Sequence, residues 1–414
     1  MKPFARWSSF AILPAVAFFE GAAWYGTRTV LSQYMVSEGG STSAEVGTLH
    51  AVISVVGLVG TVLAGLGAIA IGPWAFMALG TLVACGGALA LGILPPDAAL
   101  LAAALLSFGH GLLRPTIYGA GARAFGDDRE HLRSALFLLL WGSMNLAGWL
   151  SPMVTGSFGG VLVDGGAGLA FVLAGGSAAL AFLLATGLAV AVVVTREKDP
   201  AKRSNPPARG VHLVVVFGIV LVVVMPWGLV TSTSFDHLFV LVNALDDPDA
   251  MSTFFSINPL TVMLACAFGA VVLVVLHVTK VRLPTLLLVG LGLVILGAGM
   301  VMMLLVDRDA PSVAAISLAL VTMAVGEVLV GPLLLSRVTG DLPYRLETLV
   351  AALWIGLASV PSMIVSWLDA DEPSRALAWS GVIAVVCLGC VLVAAAFPLR
   401  RVFAAPGPTT QTTP

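Results

Sequence analysis

Apolar runs of about twenty residues recur from one end of this chain to the other, and they decide what it can fold into. A helix needs about 20 mostly apolar residues to cross a bilayer, whose core offers no water to unsatisfied backbone groups. Such runs fall near residues 8–36, 45–70, 74–94, 98–122, 135–157 and 168–195, and again near 211–233, 252–278, 283–306, 312–336, 347–368 and 376–399. The expectation is twelve membrane-spanning α-helices. Composition agrees: only 10% of the 414 residues are charged and 59% are hydrophobic, where soluble domains carry about 25% charge. The chain uses lipid as its solvent. The first run contains Glu20 and Arg28 and no small-residue cleavage site, so it reads as a first spanning helix and not as a removed leader.

One long polar segment interrupts the interior, REKDPAKRSNPPAR from Arg196 to Arg209. It divides the chain into an N-terminal bundle of six helices (1–195), a linker (196–210) and a C-terminal bundle of six (211–400), followed by a Pro/Thr-rich tail (401–414) expected to be disordered. Loop charges set the orientation. With the N-terminus inside, 16 of the 20 Lys and Arg fall on the cytoplasmic side, from Lys2 and Arg6 to Arg400 and Arg401, and only Arg308 and Arg375 fall outside. The outer loops carry acids instead, among them Asp97, Asp164, Asp246, Asp247, Asp249, Asp369 and Asp371. A wrong helix count would scramble this alternation, so both termini are placed in the cytoplasm of a multi-pass inner (plasma) membrane protein. Six plus six helices about a basic linker is the architecture of the major facilitator superfamily.

Four charges remain inside apolar runs: Glu20, Arg28, Arg114 and Glu327. Each costs at least about 2.5 kcal/mol at the bilayer centre, so each should face a cavity or a partner. A purely structural ion pair is the plainer alternative. The carboxyl of Glu20 can carry a proton, and so can that of Glu327. Arg28 and Arg114 stay charged and can clamp a carboxylate or phosphate with two parallel hydrogen bonds. Glu327 can instead receive an ammonium group. This inventory suits a solute with a negative and a positive end. His110 lies one helical turn before Arg114, on the same face, as a further titrating candidate or a packing histidine. His50 is read the same way, and His212 and His237 as solvated residues near helix ends.

Several blocks then resemble the proton-dependent oligopeptide transporters (the POT family) of the major facilitator superfamily. FFEGAAWYGTRTVLSQYM resembles the family's helix 1 pattern ExxERFxYYGMRxxLxxYL, and GLLRPTIYGAGARAFGDD its helix 4 pattern. SMNLAGWLSP, FFSINPLTVML, and VGEVLVGPLLLSRV with ALWIG resemble helices 5, 8 and 10–11. The resemblance implies proton coupling at Glu20, a cavity-facing Arg28, an Arg114 that binds the solute carboxylate where the family carries Lys, and a Glu327 that binds its amino terminus. It implies cavity-lining roles for Tyr25, Asn145, Asn258 and Trp354. Ala17 and Gly21 replace the first Glu and the Arg of ExxER, Thr231 stands in place of a helix 7 Glu, and the helix 2–3 loop, GAIAIGPW, is uncharged. An Arg does not release its proton as a buried Lys can. Any proton switch therefore falls to Glu20, Glu327 or His110, with Glu20 expected to pair with Arg114 when no solute is bound.

The resulting expectation is a monomeric secondary transporter for short peptides or peptide-like zwitterions, by proton symport. The alternative is a major facilitator carrier of another small organic solute, including proton-coupled efflux of an amphipathic metabolite or drug. No HExxH, GxSxG, Gly-rich phosphate loop or Cys/His cluster points to an enzyme, a cofactor, a metal or a nucleic acid. Cys85, Cys266, Cys387 and Cys390 sit in apolar runs and read as small buried hydrophobes. GDDREHLR, between helices 4 and 5, reads first as a solvated turn and second as a cytoplasmic latch. FDHLFVLVNALDDPDA, from Phe235, reads as an acidic outer loop. Pro14, Pro115, Pro152, Pro226, Pro259, Pro332 and Pro361 are candidate breaks or kinks.

Overall fold

The computed structural model describes residues 3–37, 39–125, 129–159, 166–194, 210–245, 250–281, 283–340, 342, 346–365 and 372–403. Its helices are α1 (Pro3–Ser37), α2 (Ser43–Ile71), α3 (Pro73–Ile93), α4 (Ala99–Ala124), α5 (Glu130–Gly159), α6 (Gly166–Val194), α7 (Gly210–Asn243), α8 (Ala250–Thr279), α9 (Thr285–Leu304), α10 (Val313–Gly340), α11 (Glu347–Val365) and α12 (Glu372–Phe403). Among the described residues, ten helices are long and apolar enough to cross a membrane, and α11 holds a shorter apolar stretch, Glu347–Pro361. α1 is 35 residues long but carries Glu20 and Arg28 in its apolar interior. Exposed Val59, Leu66, Leu183, Val193, Phe268, Val275 and Val391 coat α2, α6, α8 and α12. Helices apolar on their outer face belong in lipid.

Local chemistry sets the helix ends. Thr42 and Glu45 form a reciprocal capping box at the start of α2. Gly72, at φ 87°, ends α2 and starts α3, with Pro73 in the first helical position. Only a residue without Cβ adopts that dihedral easily, so the uncharged helix 2–3 connection reduces to one glycine.

The packing repeats between the halves. α3 packs along α4 and α6 in the first, and α9 along α10 and α12 in the second. Small residues bring the backbones together in both. A Cβ at Gly80 would lie 2.9 Å from the Gly109 carbonyl oxygen, and one at Gly292 3.0 Å from that of Gly326. Contact this close favours van der Waals attraction between helices in lipid. The halves meet along a seam where α5 packs on α8 and α10, and α11 on α2 and α4.

Four expectations change. α7 runs ten residues past the expected end at 233, so Phe235–Asn243 is helix, not loop. Leu238, Leu241 and Val242 bury one face of it at helical spacing, and this apolar stripe outweighs Asp236. His237 lies on that buried face and is only 6% exposed, not solvated. α12 continues to Phe403, three residues into the expected tail; residues 404–414, the linker 196–209 and the His212 side chain lie outside the described residues. Of the cysteines only Cys266 is buried; Cys387 and Cys390 are exposed on apolar α12. All seven prolines sit inside continuous helices. Pro115 has no N–H for the Gly111 carbonyl one turn back, and the Thr61 hydroxyl of α2 donates to that carbonyl at 3.2 Å.

Candidate functional site

Two ladders of polar and aromatic side chains face each other in the N-terminal bundle. On α1, Glu20, Trp24 and Arg28 recur every fourth residue; on α4, His110, Arg114 and Tyr118 do the same. This spacing keeps each set on one helix face. The ladders join where His110 Nδ1 hydrogen-bonds Glu20 Oε1, with Glu20 fully buried and His110 6% exposed. The Trp24 ring stacks on the imidazole at 4.5 Å with an interplanar angle of 7°, and the exposed Arg28 guanidinium lies 5.9 Å from the Trp24 centroid. The partner of Glu20 is therefore His110 and not Arg114. Arg114 sits one turn too far along α4, whereas His110 is level with Glu20. Glu20 Oε2 and Arg114 Nε have no hydrogen-bond partner among the described residues.

Glu327 stands apart on α10. Its Oε1 accepts from the Trp141 indole N–H of α5 at 3.1 Å, and the Asn258 side chain of α8 bonds the same carboxylate. Trp141 begins a chain of rings across the seam: Trp141–Trp227 at 6.2 Å and Trp227–Trp354 at 5.8 Å, with Tyr118 6.4 Å from Trp141 on the other side. The Tyr118 hydroxyl lies within electrostatic reach of Arg114, Tyr25 and Glu327. The Trp227 and Trp354 indole nitrogens have no hydrogen-bond partner among the described residues.

Of the expected site residues, Glu20 and His110 come into direct contact. Glu327 and Asn258 do as well. Asn145 donates to the Trp141 carbonyl at 2.9 Å, one turn away on the same helix, and Tyr25 lies over Gly148 of α5. Trp354 is 1% exposed and backs Trp227 rather than lining open space. Neither Arg28 nor Arg114 forms an ion pair with Glu327 among the described residues, so the four intramembrane charges are not one neutralised cluster. The Thr231 hydroxyl is taken up by the Trp227 and Gly228 carbonyls of its own helix. His50 bonds the Ser32 hydroxyl at 2.7 Å, which is a packing role. Among the described residues no group of His, Cys, Asp and Glu could hold a metal ion.

Sequence reasoning missed Trp24, Tyr118, Trp141 and Trp227. Their signal was present: each lies four residues from a residue singled out for another reason, namely Glu20, Arg114, Asn145 and Thr231.

At the basic end of the molecule the halves are closed by charge pairs. Arg123, ending α4, reaches Glu347, opening α11, at 3.3 Å. Arg337, near the end of α10, reaches Glu130, opening α5, at 3.1 Å. The second pair repeats the first with the halves exchanged. Ser134 and Ser336 bond at 3.0 Å between them, and Arg133 is buried against Gly340, where any Cβ would collide with the guanidinium. Residues 126–128 of GDDREHLR lie outside the described residues, while Glu130 and Arg133 of the same segment contact α10.

No family model and no curated protein matches the sequence. Solved structures do. One is a peptide transporter POT in complex with sulfate, 21% identical with a TM-score of 0.62, covering 95% of both chains. Another is a major facilitator superfamily transporter, FucP, in the outward conformation, 11% identical with a TM-score of 0.65, covering 92% of this chain and 98% of that one. The fold is that of the major facilitator superfamily. The human organic anion transporter MFSD10 (TETRAN) shares it as well, at 14% identity and a TM-score of 0.71, covering 95% of this chain and all of that one.

Proposed function

We propose that this chain is a secondary transporter that carries a small organic solute through its inner (plasma) membrane by alternating access, coupled to protons. The placement of unlike charges on either side of the seam carries this reading. Arg28 and Arg114 belong to the N-terminal bundle, and Glu327 to the C-terminal one. A solute carboxylate suits the arginines, and an ammonium group suits Glu327. Short peptides and peptide-like zwitterions have both ends, and one solved structure of like fold is a peptide transporter.

The proton carrier in this reading is the Glu20–His110 pair. A hydrogen-bonded carboxyl–imidazole pair carries either one proton, with net charge −1, or two, one of them outside the shared bond, with net charge 0. The nearby arginines do not exchange protons in this range. One proton thus changes the charge of the pair by one, inside a wall formed by Trp24. The solute carboxylate competes with this pair for the positive field of Arg28 and Arg114, which links solute occupancy to proton uptake.

A second reading has its own support. Glu327 bonds Trp141, whose ring is followed by Trp227 on one side and Tyr118 on the other, and a carboxylate beside such rings suits an amphipathic cation. Liposomes holding the purified protein under an imposed pH gradient test both. Competition by di- and tripeptides supports the first reading. Competition by an aromatic monocation, with no effect of peptides, selects the second. Transport of neither removes both.

A further inference from the structure

Arg308 and Arg375, the two basic residues that the sequence places in acidic outer loops, come to one cleft. The cleft lies between α7, the α9–α10 connection and the start of α12. Thr233, Asp236, His237, Val240, Arg308 and Arg375 line it. His237 is 6% exposed; Arg308 Nη2 lies 3.3 Å from its Nδ1, and its Nε2 has no hydrogen-bond partner among the described residues. The Met303 backbone approaches the same ring without satisfying that nitrogen. Arg308 Nε is buried and likewise without a partner.

Among the described residues, no acid forms an ion pair with either arginine. Asp236 is exposed and forms no ion pair with either arginine among the described residues. Asp307 Oδ1 accepts from the Asp309 backbone N–H at 3.0 Å, within its own turn. Among the described residues, two guanidinium groups and a buried imidazole thus share a cleft with one exposed carboxylate. Like charges gathered this way repel one another unless an anion joins them.

We propose that this cleft is an anion site, with Arg308 and Arg375 holding a phosphate group and His237 supplying a third polar contact. The phosphate is either that of a lipid headgroup at the membrane edge or free in solution. The site is separate from the Glu20, Arg114 and Glu327 region and does not depend on the transport reading.

The test uses the purified full chain in neutral detergent with two probes, inorganic phosphate followed by equilibrium titration and phosphatidylglycerol followed by native mass spectrometry. At least one probe should bind the wild type, with Arg375→Gln weakening it at least about fivefold, as loss of one charge-assisted contact implies. Lys280→Gln, at the opposite end of the molecule, should leave binding unchanged. Phosphate binding without lipid selects a free anion, and phosphatidylglycerol binding without phosphate selects a headgroup. Arg308→Gln should act like Arg375→Gln; if it fails to fold, the exposed Arg375 carries the test alone. Binding of neither probe, binding that survives both substitutions, or an equal loss in Lys280→Gln overturns the proposal.

Discussion

In the proposed transporter, four residues carry the chemistry: Glu20, His110, Arg114 and Glu327. Glu20→Gln keeps the size of the side chain and removes its capacity to exchange a proton. Uptake driven by a pH gradient should vanish, while exchange of solute between two equal pools persists; unchanged gradient-driven uptake in liposomes would remove Glu20 from coupling. Glu327→Gln retains hydrogen bonding to Trp141 and Asn258 and removes the negative charge. A lost charge-assisted contact is worth about 1.5–3 kcal/mol, so the affinity for a solute bearing an ammonium group should fall about 10- to 100-fold. A solute lacking that group should be nearly unaffected, and competition binding with the two solute types separates the cases. The charged members of this site were legible in the sequence because charge within an apolar run is costly and stands out. Which of them touch was not. Glu20 contacts His110 rather than Arg114 because of the relative heights of α1 and α4, and nothing in either helix alone fixes that height. The aromatic wall was hidden for a related reason: a tryptophan in an apolar helix looks like any other hydrophobe until a second helix brings another ring beside it.

At the helix ends the two charge pairs of the basic side differ in burial. The Arg123 and Glu347 side chains are 6% and 8% exposed, whereas Arg337 and Glu130 are 27% and 35% exposed. Breaking a buried pair by neutralising one partner costs about 3–5 kcal/mol, and breaking an exposed pair costs about 0.2–1 kcal/mol. Glu347→Gln should therefore open the basic end far more than Glu130→Gln. Spin labels on the ends of α4 and α11, read as a distance distribution, should show a long-distance population that is dominant in Glu347→Gln and minor in Glu130→Gln. Equal populations would mean that the buried pair is not what holds the end closed. Element identity was largely legible: all twelve helices overlap the apolar runs that predict them. The largest error, at the end of α7, arose because Asp236 and His237 interrupt the apolar run while leaving intact the stripe of Leu238, Leu241 and Val242. A run of hydropathy sees composition, whereas the helix responds to the face.

At the scale of the whole molecule, charge inventory makes a prediction that no single contact makes. In the proposed cycle the arginines keep their charge throughout, the Glu20–His110 pair gains and loses one proton, and a zwitterionic solute has no net charge. Each turnover then moves one positive charge. Such a carrier responds to voltage as well as to pH, because one elementary charge across 100 mV is worth about 2.3 kcal/mol. With equal pH on both sides and a potassium diffusion potential of that size, negative inside, zwitterion accumulation should approach about 50-fold, since each 1.36 kcal/mol is a factor of ten. Glu20→Gln should abolish that accumulation while leaving exchange intact. An aromatic monocation carried without a proton would also respond to voltage, but its response should survive Glu20→Gln, so the substitution separates the two readings. Voltage-independent uptake of a zwitterion by the wild type would mean that the proton charge is balanced by another ion, and the one-proton cycle at Glu20 and His110 would fail.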